Sequence, residues 1–290
     1  MAAEMVPLLD THQHLVYPDR QRYAWMAGAP ALNGRAFTLA DYKVLTAGAG
    51  IAGSLFMEVD VDDWRDEAAM VAALALAAGE GSGILGTVAA CRPETDAGFD
   101  AWLDEAAGLG VVGFRRILHE TTDEVSQTAT FRANVAKIGA RGLTFDLCFL
   151  ARQLAIARDL AVACEGTQFV LDHCGVPDIA GGGREPWHGG IVALAALPNV
   201  VAKLSGVFAY VGPGEASLAT VRPWVEAVIE AFGPERCLWG SDWPVCNLRG
   251  GDLPTWIAAF RAILADYSED EQAAMAHGTA ERIYKVRLPA

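Results

Sequence analysis

The chain has 290 residues, 52% of them hydrophobic, and a formal net charge of −14. That composition excludes a disordered chain. The acidic balance argues against nucleic acid or an anionic membrane as partner, since both select lysine- and arginine-rich patches.

Six cysteines (Cys91, Cys148, Cys164, Cys174, Cys237 and Cys246) show no C-x-x-C spacing, and several fall in apolar runs. They read as buried free thiols of a reducing compartment. Residues Met1 to Pro7 hold no basic segment followed by a long apolar stretch, so no signal peptide is expected. No run reaches the roughly 18 apolar residues of a membrane span, and a cytoplasmic protein is expected.

Eight short apolar runs rich in β-branched and aromatic residues predict strands at Leu8–His14, Ile51–Val59, Ile84–Cys91, Val111–Ile117, Leu143–Phe149, Gln168–Cys174, Val200–Gly206 and Cys237–Pro244. Ala-rich segments between them predict helices, among them Asp66–Ala78, Phe99–Leu109, Phe131–Ala140 and Ala151–Cys164. Eightfold strand–helix alternation implies an all-parallel sheet covered by helices, and in this length a single (β/α)8 TIM barrel occupying residues 1–290 as one domain. The alternative is an open doubly wound sheet, but no G-x-G-x-x-G follows the first strand. Two connections are long. Val16–Thr38 carries Tyr23 and Trp25, and Pro177–Gly190 carries Trp187-His188. Both are expected to act as lids or substrate walls, with a plain surface loop as the alternative.

A parallel barrel gathers its strand ends at one rim, and polar residues sit at those ends. Alternation puts Asp10, His12 and His14 on one face of the first strand. Two imidazoles there can hold a metal or polarise a carbonyl. His173 ends the sixth strand beside Asp172, with a backbone-bonded core histidine as the other reading. Asp242 lies in the Trp-rich run Leu238–Pro244, where an unpaired carboxylate is costly to bury. It is the candidate general base, against a structural aspartate in the turn before Pro244. Alternation sends one of Arg115 and Arg116 inward as a planar donor fork in the pocket; Arg115 shares the parity of Val111 and Gly113 and is the candidate, with Arg116 as the alternative. Glu58, Asp146 and Lys203 are polar residues in apolar strands that either line the pocket or form ion pairs.

Together, Asp10-Thr11-His12-Gln13-His14, Gly113-Phe114-Arg115, Leu171-Asp172-His173-Cys174-Gly175-Val176-Pro177, Val201-Ala202-Lys203-Leu204-Ser205-Gly206 and Trp239-Gly240-Ser241-Asp242-Trp243-Pro244 resemble the amidohydrolase superfamily. The likeness is to its amidohydrolase-related branch of lactonases, such as L-fuconolactonase-like and 2-pyrone-4,6-dicarboxylate lactonase-like enzymes. It runs from the first strand to Tyr284.

The resemblance implies a small-molecule lactone as partner and a hydrolase of sugar-acid lactones. Asp242 would activate water, while His12, His14 and His173 stabilise the oxyanion. Arg115, Trp25, Tyr23, Asp146 and Glu58 would hold substrate. The fourth strand offers arginines where binuclear members carry a lysine, and the fifth lacks the histidine of mononuclear members. The resemblance therefore leaves open one zinc-like divalent ion on His12, His14 and Asp242, or metal-free catalysis. Metal-dependent decarboxylases and lactone isomerases share such barrels. A ligand-binding barrel without turnover is the reading from another class.

Overall fold

A computed structural model describes residues 5–289. Eight strands follow one another round a parallel sheet: β1 (Leu8–Gln13), β2 (Ile51–Met57), β3 (Ile84–Ala90), β4 (Val111–Ile117), β5 (Thr144–Cys148), β6 (Gln168–Leu171), β7 (Val200–Leu204) and β8 (Cys237–Trp239). The barrel closes at the rim. Gln13 bridges Trp243 in parallel, His14 N–H donates to Trp243 O at 2.8 Å, and Asp242 N–H donates to His12 O at 2.8 Å.

Around the sheet lie α1 (Leu39–Thr46), α2 (Trp64–Ala78), α3 (Phe99–Ala107), α4 (Ala129–Ala140), α5 (Leu154–Ala163), α6 (Trp187–Ala195), α7 (Leu218–Phe232) and α8 (Leu253–Leu264). The short α9 (Glu269–Ala273) and α10 (Thr279–Tyr284) follow. No described helix is long and apolar enough to cross a membrane.

The strands are buried on both faces, as a helix-covered parallel sheet requires. One cluster fills the barrel: Leu9, Leu55, Val88, Val170, Val201 and Leu238. Ile283 and Tyr284 of α10 pack into that cluster. The other cluster lies between sheet and helices and takes the outward-facing Phe56, Phe114, Phe145 and Phe169. All six cysteines are buried free thiols.

Several elements differ from the sequence expectation. β6 and β8 stop earlier than predicted because the chain turns left-handed just beyond them, at His173 (φ 54°), Cys174 (φ 53°) and Asp242 (φ 56°). In β1 a register irregularity between Asp10 and Gln13 breaks the alternation. Asp10 therefore leaves the face of His12 and His14, and its Oδ2 accepts from the Tyr42 hydroxyl of α1 at 2.6 Å. Lastly, the end of Pro177–Gly190, from Trp187 on, is the start of α6. Trp187 there is core, its Nε1–H donating to Cys174 O at 2.7 Å.

Candidate active site

The two early strand exits build the site. A left-handed residue straight after a strand redirects its side chain, and here both such turns aim chemistry at the barrel axis. His173 leaves β6 and its Nδ1 meets Ser205 Oγ at 3.0 Å, which turns Nε2 toward the centre. Gly206 makes room for it. A Cβ there would stand 2.4 Å from His173 Nδ1, and its φ of +69° favours glycine.

Asp242 leaves β8 toward the histidines, its Oδ1 3.7 Å from His12 Nε2 and 3.4 Å from His14 Nε2. The rings of His12 and His173 stand 4.4 Å apart between centroids, those of His12 and His14 4.8 Å. His14 Nδ1–H donates to Met57 O at 2.9 Å, because a carbonyl can only accept. That leaves its Nε2 facing Asp242.

Beneath this cluster lies a buried ionic layer. Phe114 turns outward to Trp102 of α3, so its neighbour Arg115 turns in. Arg115 Nε donates to Glu58 Oε1 at 2.7 Å, Nη2 to Glu58 O at 2.6 Å, and Nη1 to Asp172 Oδ2 at 3.2 Å. Nη1 also stands 3.2 Å from His12 Nε2. Arg116 pairs instead with Glu94.

Lys203 Nζ donates to Asp146 Oδ2 at 2.6 Å and lies 3.1 Å from Asp172 Oδ1. The Tyr284 hydroxyl donates to the same Asp146 oxygen at 3.0 Å. Burial, with Lys203 at 3.3 Å from Nδ1, holds the His12 pKa well below its ordinary value, so this ring is neutral. Burial likewise lowers His173. Asp172 is held well below the usual carboxylate range by Lys203 and His12, which overcome its burial.

The cluster floors a cavity of about 490 Å³. Trp25 and Ala29 from the first long loop form one wall, and the Trp25 indole is pinned by Nε1–H to Val59 O at 2.8 Å. His119 and Glu120 beyond β4, Cys148 at the end of β5, and Tyr210 beyond β7 complete it. The Cys148 thiol lies 3.3 Å from His119 Nδ1 and is pushed up by burial, so it donates to that nitrogen.

His14, His173, Asp242, Arg115 and Trp25 therefore border the cavity, and His12 lies directly below them. Three other expected substrate contacts stand elsewhere. Tyr23 is buried under the loop, its hydroxyl accepting from Tyr17 N–H at 2.9 Å. Glu58 has one oxygen on Arg115 and the other on Asp60 N–H, and Asp146 is spent on Lys203 and Tyr284. No cavity residue comes from Pro177–Gly190. His119 and Tyr210 were not among the expected site residues, and Cys148 was expected only as a buried thiol. His119 carried the same signal as His173, a polar residue just past a strand, while Tyr210 carried none.

The donor set suits a divalent cation. Among the described residues, ligand atoms of His12, His173 and Asp242 all lie within 4.8 Å of one another, with His173 in the place expected of His14. Asp242 Oδ2 is buried without a hydrogen-bond partner. Four buried carboxylates (Glu58, Asp146, Asp172, Asp242) face two buried cations (Arg115, Lys203). With His12 and His173 neutral, that excess of negative charge is what a dication would offset.

A rim of histidines and an aspartate at the strand ends of a closed parallel barrel defines an enzyme-type site of the TIM-barrel class. Residues 9–286 match the profile of the amidohydrolase family, and the chain belongs to that family. It is 27% identical to L-fucono-1,5-lactonase of Burkholderia multivorans over 97% of each chain. It is 37% identical to L-fucono-1,5-lactonase of Burkholderia ambifaria, a match that spans only 52% of either chain. A crystal structure of a Burkholderia multivorans amidohydrolase with bound zinc superposes with a TM-score of 0.86 at 26% identity, covering 97% of this chain and all of that one.

Proposed function

We propose that this chain, acting as one barrel domain, hydrolyses the ring ester of a sugar-acid lactone in carbohydrate catabolism. Enzyme class follows from the family and from relatives named as lactonases: a hydrolase acting on lactone esters. The observation that carries the mechanism is Asp242, whose second oxygen is buried and unspent at the floor of the cavity beside three histidines.

Water held by that oxygen loses a proton to Asp242 as it attacks the lactone carbonyl. Neutral His12 and His173 stabilise the developing oxyanion. Arg115 adds an N–H. Three of its hydrogens go to Glu58 and Asp172, and among the described residues the second hydrogen on Nη2 meets no acceptor. The protonated Asp242 then gives its proton to the departing ring alkoxide. Trp25 supplies a flat wall for the ring.

A zinc-like ion held by His12, His173 and Asp242 would supply Lewis acidity and an acidified water when bound. The neutral state of His12 and His173 suits that role equally well.

The test is a product screen of purified protein on aldonolactones, following acid release, carbon dioxide and ring-size change together, with elemental analysis before and after chelation. Acid release alone, with at most one equivalent of metal, is expected. Carbon dioxide or an isomeric lactone as the product would replace lactone hydrolysis with decarboxylation or isomerisation. Saturable binding without ring opening would make the barrel a binder.

A further inference from the structure

Tyr210 carries a hydroxyl at the catalytic wall that the fold does not use. It follows the 3-10 turn Val207–Ala209 beyond β7 and lines the cavity. Its backbone is fixed at both ends, N–H donating to Val207 O at 3.3 Å and its carbonyl accepting from Ala180 N–H at 3.1 Å. Its ring meets His173 edge-on, with centroids 6.3 Å apart and planes at 67°.

Four of the other tyrosines behave differently, and the fifth, Tyr267, has its hydroxyl unpartnered among the described residues on a partly exposed surface turn instead of in the cavity. The hydroxyl of Tyr17 accepts from Leu39 N–H, that of Tyr23 from Tyr17 N–H, and those of Tyr42 and Tyr284 donate to Asp10 and Asp146. Among the described residues the Tyr210 hydroxyl has no such partner, although tyrosine hydroxyls in packed surroundings usually find one.

Lactone opening develops negative charge on two oxygens. The carbonyl oxygen has His12, His173 and Arg115. The ring oxygen departs as an alkoxide, a poor leaving group, and needs a donor of its own. Both oxygens are bound to the same carbon, so a donor adjoining His173 reaches the second when the first rests on the histidines.

Resting on the lactonase reading above, we infer that Tyr210 is a further catalytic residue whose phenolic O–H donates a hydrogen bond to the lactone ring oxygen as the ring C–O bond breaks. The bond between water oxygen and the carbonyl carbon forms, and the ring C–O bond breaks. The proton lost by water reaches the alkoxide through Asp242, and the phenol keeps its own.

The experiment compares wild type and Tyr210→Phe on an aldonolactone, which expels an aliphatic alkoxide, and on dihydrocoumarin, which expels a stabilised phenoxide. Phenylalanine keeps the ring against His173, and melting curves check the fold. The expected result is a loss in kcat of about a hundredfold on the aldonolactone, with a loss below about threefold on dihydrocoumarin, where the leaving oxygen needs little help. Equal losses on both, or no loss on either, would overturn the role. If wild type opens only the aldonolactone, a loss confined to kcat supports the role, and a loss confined to KM overturns it. A wild-type enzyme inert to every lactone would defeat the lactonase reading itself, and Tyr210's role with it.

Discussion

Lys203→Met removes the cation on which the layer beneath the site depends. Lys203 is fully buried, with Nζ 2.6 Å from Asp146, 3.1 Å from Asp172 and 3.3 Å from His12. Methionine keeps the length of the side chain and deletes its charge. Asp172 would retain Arg115 at 3.2 Å, but Asp146 would retain only the Tyr284 hydroxyl at 3.0 Å. Breaking a buried pair in this way costs about 3–5 kcal/mol. Unfolding a chain of 290 residues carries an entropy of roughly 0.6 kcal/mol/K. The melting temperature should therefore fall by about 5–8 °C.

Burial already lifts Asp146 to about 6 with Lys203 present. Without the lysine it takes a proton still more readily, so the deficit should be larger near pH ~8 than near pH ~5. Lys203→Met/Asp146→Asn should recover more than half the loss, because the stranded charge is gone. Melting of wild type, Lys203→Met, Asp146→Asn and the double variant by circular dichroism at both pH values is the assay. A Lys203→Met protein melting within about 2 °C of wild type at both would refute the claim that this lysine holds the layer together.

Gly206→Ala should lower kcat/KM at least tenfold and stability by about 1–3 kcal/mol, since the new methyl carbon falls 2.4 Å from His173 Nδ1 at a φ of +69°. Kinetics run beside denaturant melts check this, and normal turnover would show that His173 tolerates displacement. A second outcome concerns pH. Asp146 has a folded pKa of about 6 against an ordinary 3.8, so its proton is bound more tightly in the native state. The stability linked to it is complete below about pH 4 and declines as pH rises toward about 6. Wild type should accordingly lose stability relative to Asp146→Asn across that window in urea titrations, and parallel curves would contradict the assignment.

The barrel was legible because eight apolar runs alternate with Ala-rich helices, and periodicity survives small errors at the ends of elements. Asp242 and His173 were legible for a related reason: a polar side chain inside a run such as Leu238–Pro244 must have a purpose that offsets its burial. The left-handed exits that aim them were not legible, since His173 and Asp242 are not glycines and nothing local marks a positive φ there. Parity placed Arg115 inward but failed for Asp10, where the register slips within β1. Glu58 and Asp146 stood equally as pocket or ion-pair residues. Which they are depends on partners 57 positions away in the chain, Arg115 and Lys203. Tyr23 and Trp25 looked alike in sequence, yet the fold of one loop buries the first and presents the second to the cavity. Tyr210, and the place of Cys148 in the cavity wall, needed the assembled rim to be seen at all.

The central claim is that the carboxylate of Asp242 activates water, and Asp242→Asn tests it most directly. Asparagine accepts the left-handed φ of 56° and keeps both backbone bonds of this residue, to His12 O and from Cys246 N–H, so the fold should persist. Acid release from a sugar lactone, followed with a pH indicator at saturating substrate, should fall by about a thousandfold with an unchanged melting temperature. An Asp242→Asn enzyme that opens the lactone at close to the wild-type rate would contradict the account.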